Sequence, residues 1–444
     1  MSRPSLYRLT LPNGLRLVVQ PLDGAPSVGV AVHYDVGFRS EPLGRTGFAH
    51  LFEHVMFQGS ENVAPADHFR HVQASGGTAN GSTHQDHTDY YQVVPAQALE
   101  RVLFLEADRM RALRITPETL RTQTAVVKEE IRQSVTDKPY GGFPWTVLPA
   151  VLYRTHPNAH NGYGAFDDLD AATVAECQAF FDTYYAPGNA VVTICGDVDP
   201  GHAADLVARH FAAIPARPVP APPALAEPVP QQARSGTHPD PHAALAATAI
   251  GWRMPDAGTG LDGYLAHMVL GELLTGRDTS RLKQRLVHRA PLATDISTSC
   301  GLFGPLRARD PETFVCVAMH PRETTTEQLL DAIDTELAGL AATGPEQREL
   351  ARSRALLTSA TWRGFDNIVA RTRALGTYEL LFGAPHLVDE LAHRLAAVDA
   401  AGVAAAAANL HPERRGVLSL VPGTARSPVS AGGGSLVSAG GDAR

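Results

Sequence analysis

The sequence predicts an α+β fold in two homologous halves, each an antiparallel-rich sheet covered by helices. Three observations predict it. Strand-like runs precede helix-like runs, and the same order of runs occurs twice along the chain. A stretch dense in Pro and Ala, without periodicity, separates two parts of similar length at 216–240. The apolar spacing changes from alternation to a helical repeat at corresponding places in both parts.

The elements follow in order. The N-terminal stretch LYRLTLPNGLRLVV reads as a strand, a turn at Pro12-Asn13-Gly14 and a second strand. VGVAVHYDVG then leads into GFAHLFEHVMFQG, where Phe48, Leu51, Phe52, Val55 and Met56 recur at helical spacing and predict a helix over 47–58. Two more helices are expected over 96–113 and 116–135, the latter with Pro117 near its start, where proline is tolerated. In the second part, ALAATAIGW leads into YLAHMVLGELLTG, so that His267 falls opposite His50 and Gly276 opposite Gly59. QVVPAQALERVLFLEADRM pairs with VCVAMHPRETTTEQLLDAI as strand, break and helix, and the halves close on AVVTICGDV and GVLSLVPG. The expected division is a first half at 1–215, a linker at 216–240, a second half at 241–425, and a disordered Gly/Ser/Ala tail at 426–444.

Composition excludes several classes of function. With 44% hydrophobic and 19% charged residues in 444, the chain is globular and long enough for more than one core. A formal charge of -8 and the lack of a basic run argue against nucleic acid. No apolar run reaches a membrane span, and the N-terminus lacks a basic flank followed by an apolar core, so a cytoplasmic protein is expected. Cys177, Cys195, Cys300 and Cys316 show no CxxC spacing and read as buried free thiols.

The chemistry is concentrated in His50-Leu51-Phe52-Glu53-His54. Residues four apart share one face of a helix, so His50 and His54 offer two imidazoles to one metal. Glu53 lies beside the second ligand, within reach of a water that the metal acidifies. This is the inverted form of HExxH. Among 19 histidines, such a string arises by chance about 0.04 times per chain. The bland alternative is a helix whose surface histidines pair with a glutamate. An apolar helix would instead bury these three polar groups, and buried polar groups need partners. Catalytic zinc needs a third protein ligand.

These residues resemble the pitrilysin family of zinc metallopeptidases, which includes insulin-degrading enzyme and the mitochondrial processing peptidase. The family carries HxxEH and, some 75 residues on, a glutamate ligand on a helix. Glu130, 76 residues after His54 in TQTAVVKEEIRQS, matches that ligand, with Glu129 as the alternative. The resemblance therefore implies Zn2+ on His50, His54 and Glu130, with Glu53 as general base. Many relatives carry an assisting glutamate seven residues before the ligand, where this chain has Gln123. Gly76-Gly77-Thr78-Ala79-Asn80-Gly81-Ser82-Thr83 resembles the family strand whose edge binds the substrate backbone, which implies substrate contacts at Gly77 and Asn80. Alone, the two glycines read as an ordinary turn. Asp86, His87 and Asp89 mimic a second metal cluster and are expected to be solvated strand or turn residues. His156-Pro157, Asp167-Asp168-Leu169 and 184–199 also follow the family spacing.

The second half departs from the single-chain members of that family. They place an Arg and a Tyr seven residues apart to bind substrate and stabilise the tetrahedral intermediate. Val287 and Thr294 stand at those positions here, and Arg281, Arg285 and Arg289 lack a tyrosine seven residues on. The resemblance thus implies a bacterial two-subunit peptidase: a clamshell of which this chain is half, acting on peptides or unfolded segments. A homologous partner would carry the Arg/Tyr pair, and a homodimer would serve only if such a pair lay elsewhere in the sequence. The rival readings are a scaffold subunit of a larger complex, whose metal motif is usually damaged, and a protease that removes leader peptides from a natural product.

Overall fold

The computed structural model describes residues 6–423, and the tail expected to be disordered at 426–444 lies outside them. Two sheets organise the chain. The first comprises β1 (Tyr7–Thr10), β2 (Arg16–Pro21), β3 (Val28–Tyr34), β4 (Thr78–Thr83), β5 (Thr88–Val94) and β6 (Ala190–Gly196), ordered β1-β2-β6-β3-β5-β4. The second comprises β7 (Arg234–Asp240), β8 (Ala246–Arg253), β9 (Asp295–Cys300), β10 (Thr313–His320) and β11 (Arg415–Pro422), ordered β7-β11-β8-β10-β9. Without β1 the two orders are the same. Each has one parallel pair in the same place, β2 with β6 and β7 with β11, among antiparallel neighbours. The stretch read as linker is extended through Pro230, but its last seven residues form β7. This edge strand alternates half-buried and exposed residues, a pattern hidden by its Pro and Gly.

The helices fall close to their expected places. Helix Phe48–Val55 lies within the expected 47–58, and helix Leu99–Arg111 within 96–113. Helix Pro117–Ile131 is capped by Thr116 and continues as a π-helical turn at Arg132–Thr136. Each half has its own core, the first gathering Leu17, Val30, Phe52 and Val127, the second Ile250, Leu270, Phe314 and Leu391.

The halves also cover each other. β3 is buried at all seven residues because helices 48–55 and 99–111 lie on one face and helix Ile368–Phe382 of the second half lies on the other. In return, helix Leu148–Leu152 of the first half covers the second sheet, packing Leu148 with Ala247, Leu418 and Leu420. Close approach needs glycine at the crossing: a Cβ on Gly29 of β3 would lie 2.2 Å from Thr372 Oγ1. The exchange corrects one expectation. Asp86, His87 and Asp89 are buried, with His87 and Asp89 at 0% exposure: Arg373 of helix 368–382 bonds Asp89, and Arg39 and the Arg309 backbone bond Asp86. The four cysteines are free and buried.

Candidate metal and peptide site

Helix 48–55 is held at its N-terminus by Glu41 just before it and by side chains more than 100 residues on. Glu41 is buried, and its carboxylate accepts the N–H groups of Gly47 (2.9 Å) and Ala49 (2.8 Å), which the first helical turn leaves unpaired. His160 Nε2 lies 3.1 Å from the same carboxylate. Burial raises the Glu41 pKa against these partners, and the Glu41 carboxylate raises that of His160 against burial. Gly47 has φ of +90° and would bring a Cβ within 2.8 Å of the Tyr163 carbonyl oxygen, so only glycine lets segment 161–168 press on this turn. Asp168 fixes the same segment by accepting from Thr46 N (2.9 Å) and Oγ1 (2.6 Å).

Three side chains expected as ligands converge. His50 and His54, one turn apart, bring their rings to 5.1 Å between centroids. Glu130 reaches them from helix 117–131, with Oε1 3.5 Å from His50 Nε2 and Oε2 3.2 Å from His54 Nε2. Donors about 2.0–2.2 Å from a tetrahedral zinc stand about 3.4 Å apart, so the set fits that ion closely. Hydrogen bonding to His50 and then to His54 holds the Glu130 carboxyl well below the usual carboxylate range, so it is ionised as a ligand must be. Glu129 turns away, paired with Arg132 (3.2 Å) and Gln133 (2.9 Å). Gln123 is buried under its helix.

Glu53 lies beside the triad. Its Oε2 accepts from Thr83 Oγ1 at 2.7 Å, which aims one oxygen. Gly81 of β4 stands opposite, where a Cβ would come within 3.0 Å of Glu53 Cγ. β4 ends the sheet, so its outer edge has backbone groups free to pair with an extended peptide. Asn80 is exposed on this strand, its Oδ1 accepting from the Gly81 N–H. Gly77 precedes the strand and faces β5: a Cβ there would lie 2.5 Å from the Val93 carbonyl oxygen, so close packing accounts for this glycine.

The triad opens on a cavity of about 580 Å³. Its walls include Tyr140, Phe143, Trp145 and Tyr163 from the segments after helix 117–131, and Phe303 from the second half. Tyr163 stands edge-on to His50 at 5.5 Å, and its pKa is raised by burial and then by Glu130 and Glu53, so its phenol stays neutral. Phe303 belongs to a loop that Arg309 fastens to the first half. The Arg309 backbone N–H donates to Asp86 (2.7 Å) and its guanidinium grips Asp35 (2.7 and 3.0 Å). Glu41, Tyr163 and Phe303 are absent from the sequence-based site. The segment containing Tyr163 was legible only as family spacing, and nothing local marks Glu41 or Phe303.

Val287 and Thr294 lie away from this cavity. Val287 packs on the second core, and Thr294 Oγ1 donates to the Met319 carbonyl. Arg281 is held by Glu336 and Glu349, and Arg285 lies 3.5 Å from Glu336.

The chain is similar in sequence and fold to known proteins. Residues 17–152 match the family described as Insulinase (Peptidase family M16), and residues 171–357 match the Peptidase M16 inactive domain. The zinc protease PqqE of Helicobacter pylori is 30% identical over 295 residues, 66% of each chain. An uncharacterized zinc protease of Mycobacterium tuberculosis is 28% identical over 437 residues, 95% of this chain and 94% of that one. The crystal structure of a protease from Helicobacter pylori superposes with a TM-score of 0.85 at 24% identity, covering 94% of this chain and all of that one.

Proposed function

The chain belongs to the insulinase family, peptidase family M16, and from that premise we propose that it is the metal-binding subunit of a zinc-dependent endopeptidase. Its substrates are peptides or unfolded segments that enter a closed chamber in extended form. The observation that carries the reading is the convergence of His50, His54 and Glu130 one helical turn from Glu53, beside the free edge of β4.

The geometry supports the following division of labour. His50, His54 and Glu130 hold the ion. Zinc bound there supplies Lewis acidity, polarising a carbonyl and lowering the pKa of water at the site towards neutrality. The edge of β4 pairs with the substrate backbone and fixes its register with little regard for side chains. Asn80 contributes from the same strand. Glu53, aimed by Thr83, takes a proton from the attacking water and delivers it to the leaving amine. The aromatic wall of Phe143, Trp145, Tyr163 and Phe303 receives apolar side chains and limits water.

One component is supplied from outside. The cavity wall contains Lys138 and two tyrosines but no arginine among the described residues. Arg281 and Arg285 are engaged in ion pairs. A homologous second chain therefore closes the chamber and brings the Arg/Tyr pair that stabilises the oxyanion, a contribution of about 3 kcal/mol.

The test is Glu53→Gln in the zinc-loaded chain, assayed with and without the partner. Zinc content should stay at the wild-type level, while hydrolysis of a mixed peptide library should fall by at least about 1000-fold. Near-wild-type turnover would remove Glu53 as the base. Full activity of the isolated wild-type chain, unchanged by any partner, would remove the second subunit from the reading.

A further inference from the structure

Beneath helix 368–382 lies a second group of metal-binding side chains, on the face of the first sheet opposite helix 48–55. His33 comes from β3, His87 from the residue just before β5 and Asp89 from β5 itself, with donor atoms within 4.8 Å of one another. All three are at 0% exposure. His33 Nε2 lies 3.9 Å from Asp89 Oδ2 and 3.3 Å from Thr377 Oγ1. His87 is stacked between His33 (5.7 Å) and His84 (4.6 Å), and His84 Nε2 lies 3.7 Å from Asp89 Oδ1.

The ring nitrogens are the unusual feature. His33 Nδ1, His84 Nδ1 and both nitrogens of His87 are buried without a hydrogen-bond partner. A neutral imidazole always carries one N–H and one lone pair. Leaving either unpaired in a protein interior costs about 1–3 kcal/mol. His87 leaves both unpaired. Four such atoms in one cluster call for an occupant.

We propose that this cluster is a second, structural metal site for a divalent transition ion that favours imidazole, zinc foremost, with His33, His87 and Asp89 as ligands. The donor types are those of such sites, and both imidazoles and the carboxylate are wholly buried. The charged groups facing the site from helix 368–382 and the 301–312 loop are Arg373 and Arg307. Arg373 grips Asp89 through two bonds of 2.6 and 2.9 Å and approaches His84 Nε2 at 3.4 Å. It therefore orients the carboxylate while leaving it lone pairs for the ion. Because Arg373 already balances Asp89, neutral imidazoles must carry most of the binding, as three histidines do for zinc in carbonic anhydrase. The ion would tie β3 to β5 under the helix that the second half contributes. With all ligands buried, it would enter during folding and resist a chelator.

The experiment counts metal. Wild-type chain and the Glu130→Gln variant are produced with zinc in the medium, passed briefly through EDTA, desalted and measured by atomic emission. The wild type should carry two zinc ions per chain and keep one after EDTA. Glu130→Gln should keep one EDTA-resistant ion, and X-ray absorption should give it an imidazole-rich shell. His87→Asn in the wild-type background should lose that ion and retain the labile one. Glu130→Gln leaves the buried cluster untouched, so the test stands even if His87→Asn does not fold. It is also independent of peptide hydrolysis. EDTA-treated Glu130→Gln without zinc would overturn the proposal and assign the orphaned nitrogens to buried water.

Discussion

Gly81 is the fourth residue of β4, and Thr298 is the fourth residue of β9, the corresponding edge strand of the second half. The two positions face equivalent helices with opposite results. In the first half the glycine leaves a gap that Glu53 fills. In the second half Thr298 fills the gap itself, donating from Oγ1 to the Gly271 carbonyl (3.0 Å), and the helix Leu261–Thr275 carries Leu270 and Gly271 where helix 48–55 carries Glu53 and His54. His267, opposite His50, bonds the Gly263 carbonyl (2.8 Å) and Asn409 (3.2 Å) and is a satisfied core histidine. One scaffold thus has two uses for the same volume. Where the strand gives up its side chain, the helix can place a base and a ligand. Where the strand keeps it, the helix gives up its own, and the layers close without a site.

The strongest way to break that comparison is to move the second half's residue into the first. Gly81→Thr places a Cβ 3.0 Å from Glu53 Cγ and 3.3 Å from the Tyr90 ring. Glu53 must move, while His50, His54 and Glu130 are untouched. A displacement of about 1 Å at a catalytic group costs about 100-fold in turnover. Peptide hydrolysis should fall by that factor with zinc content unchanged. Unaltered turnover would show that the glycine gap does not position the base.

The next effect is smaller and concerns how the first half's helix is held. Glu41→Gln removes the charge that caps helix 48–55 and pairs with His160, leaving His50 and His54 in place. Zinc affinity should weaken about tenfold, as for other groups that orient ligands, and stability should fall by about 1 kcal/mol. Zinc titration monitored by competition with a chromophoric chelator measures the first, and urea unfolding measures the second. His160→Gln should have the same direction, since it removes the partner of the same carboxylate.

Much of the first half was legible in the sequence for a physical reason. His50, Glu53 and His54 obey local spacing on helix 48–55, whereas Glu130 stands out only through its match to the family ligand 76 residues after His54. The central strands β3, β6 and β8 show because their apolar runs are buried on both faces. The failures share a cause. Asp86, His87 and Asp89 look like polar hairpin residues, and they are covered by partners such as Arg309 and Arg373, more than 220 residues away. Tyr163 and Phe303 act on the site through long-range contacts, and Glu41 through a bend six to eight residues long, which no helical or strand period encodes. Burial imposed by the other half is a tertiary fact, and the buried side chains show no pattern of their own.

A third change tests the second half with the first half's chemistry. Gly271→His restores the imidazole found at His54, but its Cβ would lie 3.2 Å from Thr298 Oγ1 and 3.6 Å from the Phe314 ring. Overpacking of this kind costs about 1–3 kcal/mol. The variant should unfold at lower urea, with no additional zinc and no change in the activity supported by the first half. An extra zinc ion would mean that Thr298 does not close the gap.

The mildest test uses Glu312, the residue just before β10, which strand register sets opposite Asp86 of the first half. Both positions are buried and acidic, and Glu312 is bonded by Gln85 of the first half and by Tyr264, each at 3.3 Å. Burial pushes its pKa up to about 8, although Arg39 and the Gln85 bond pull it down. An unfolded glutamate titrates near about 4.3. Between those values the folded chain holds a proton that the unfolded chain has released, so stability falls as pH rises. The contribution is complete below about pH 4.3 and disappears through pH 8. Glu312→Gln fixes the neutral form. Its melting temperature should equal that of the wild type near pH 5 and exceed it by a few degrees at pH 9, giving a flatter profile. Parallel profiles from pH 5 to 9 would mean that Glu312 is ionised in the folded protein and that the seam between the halves stabilises a buried carboxylate with Arg39.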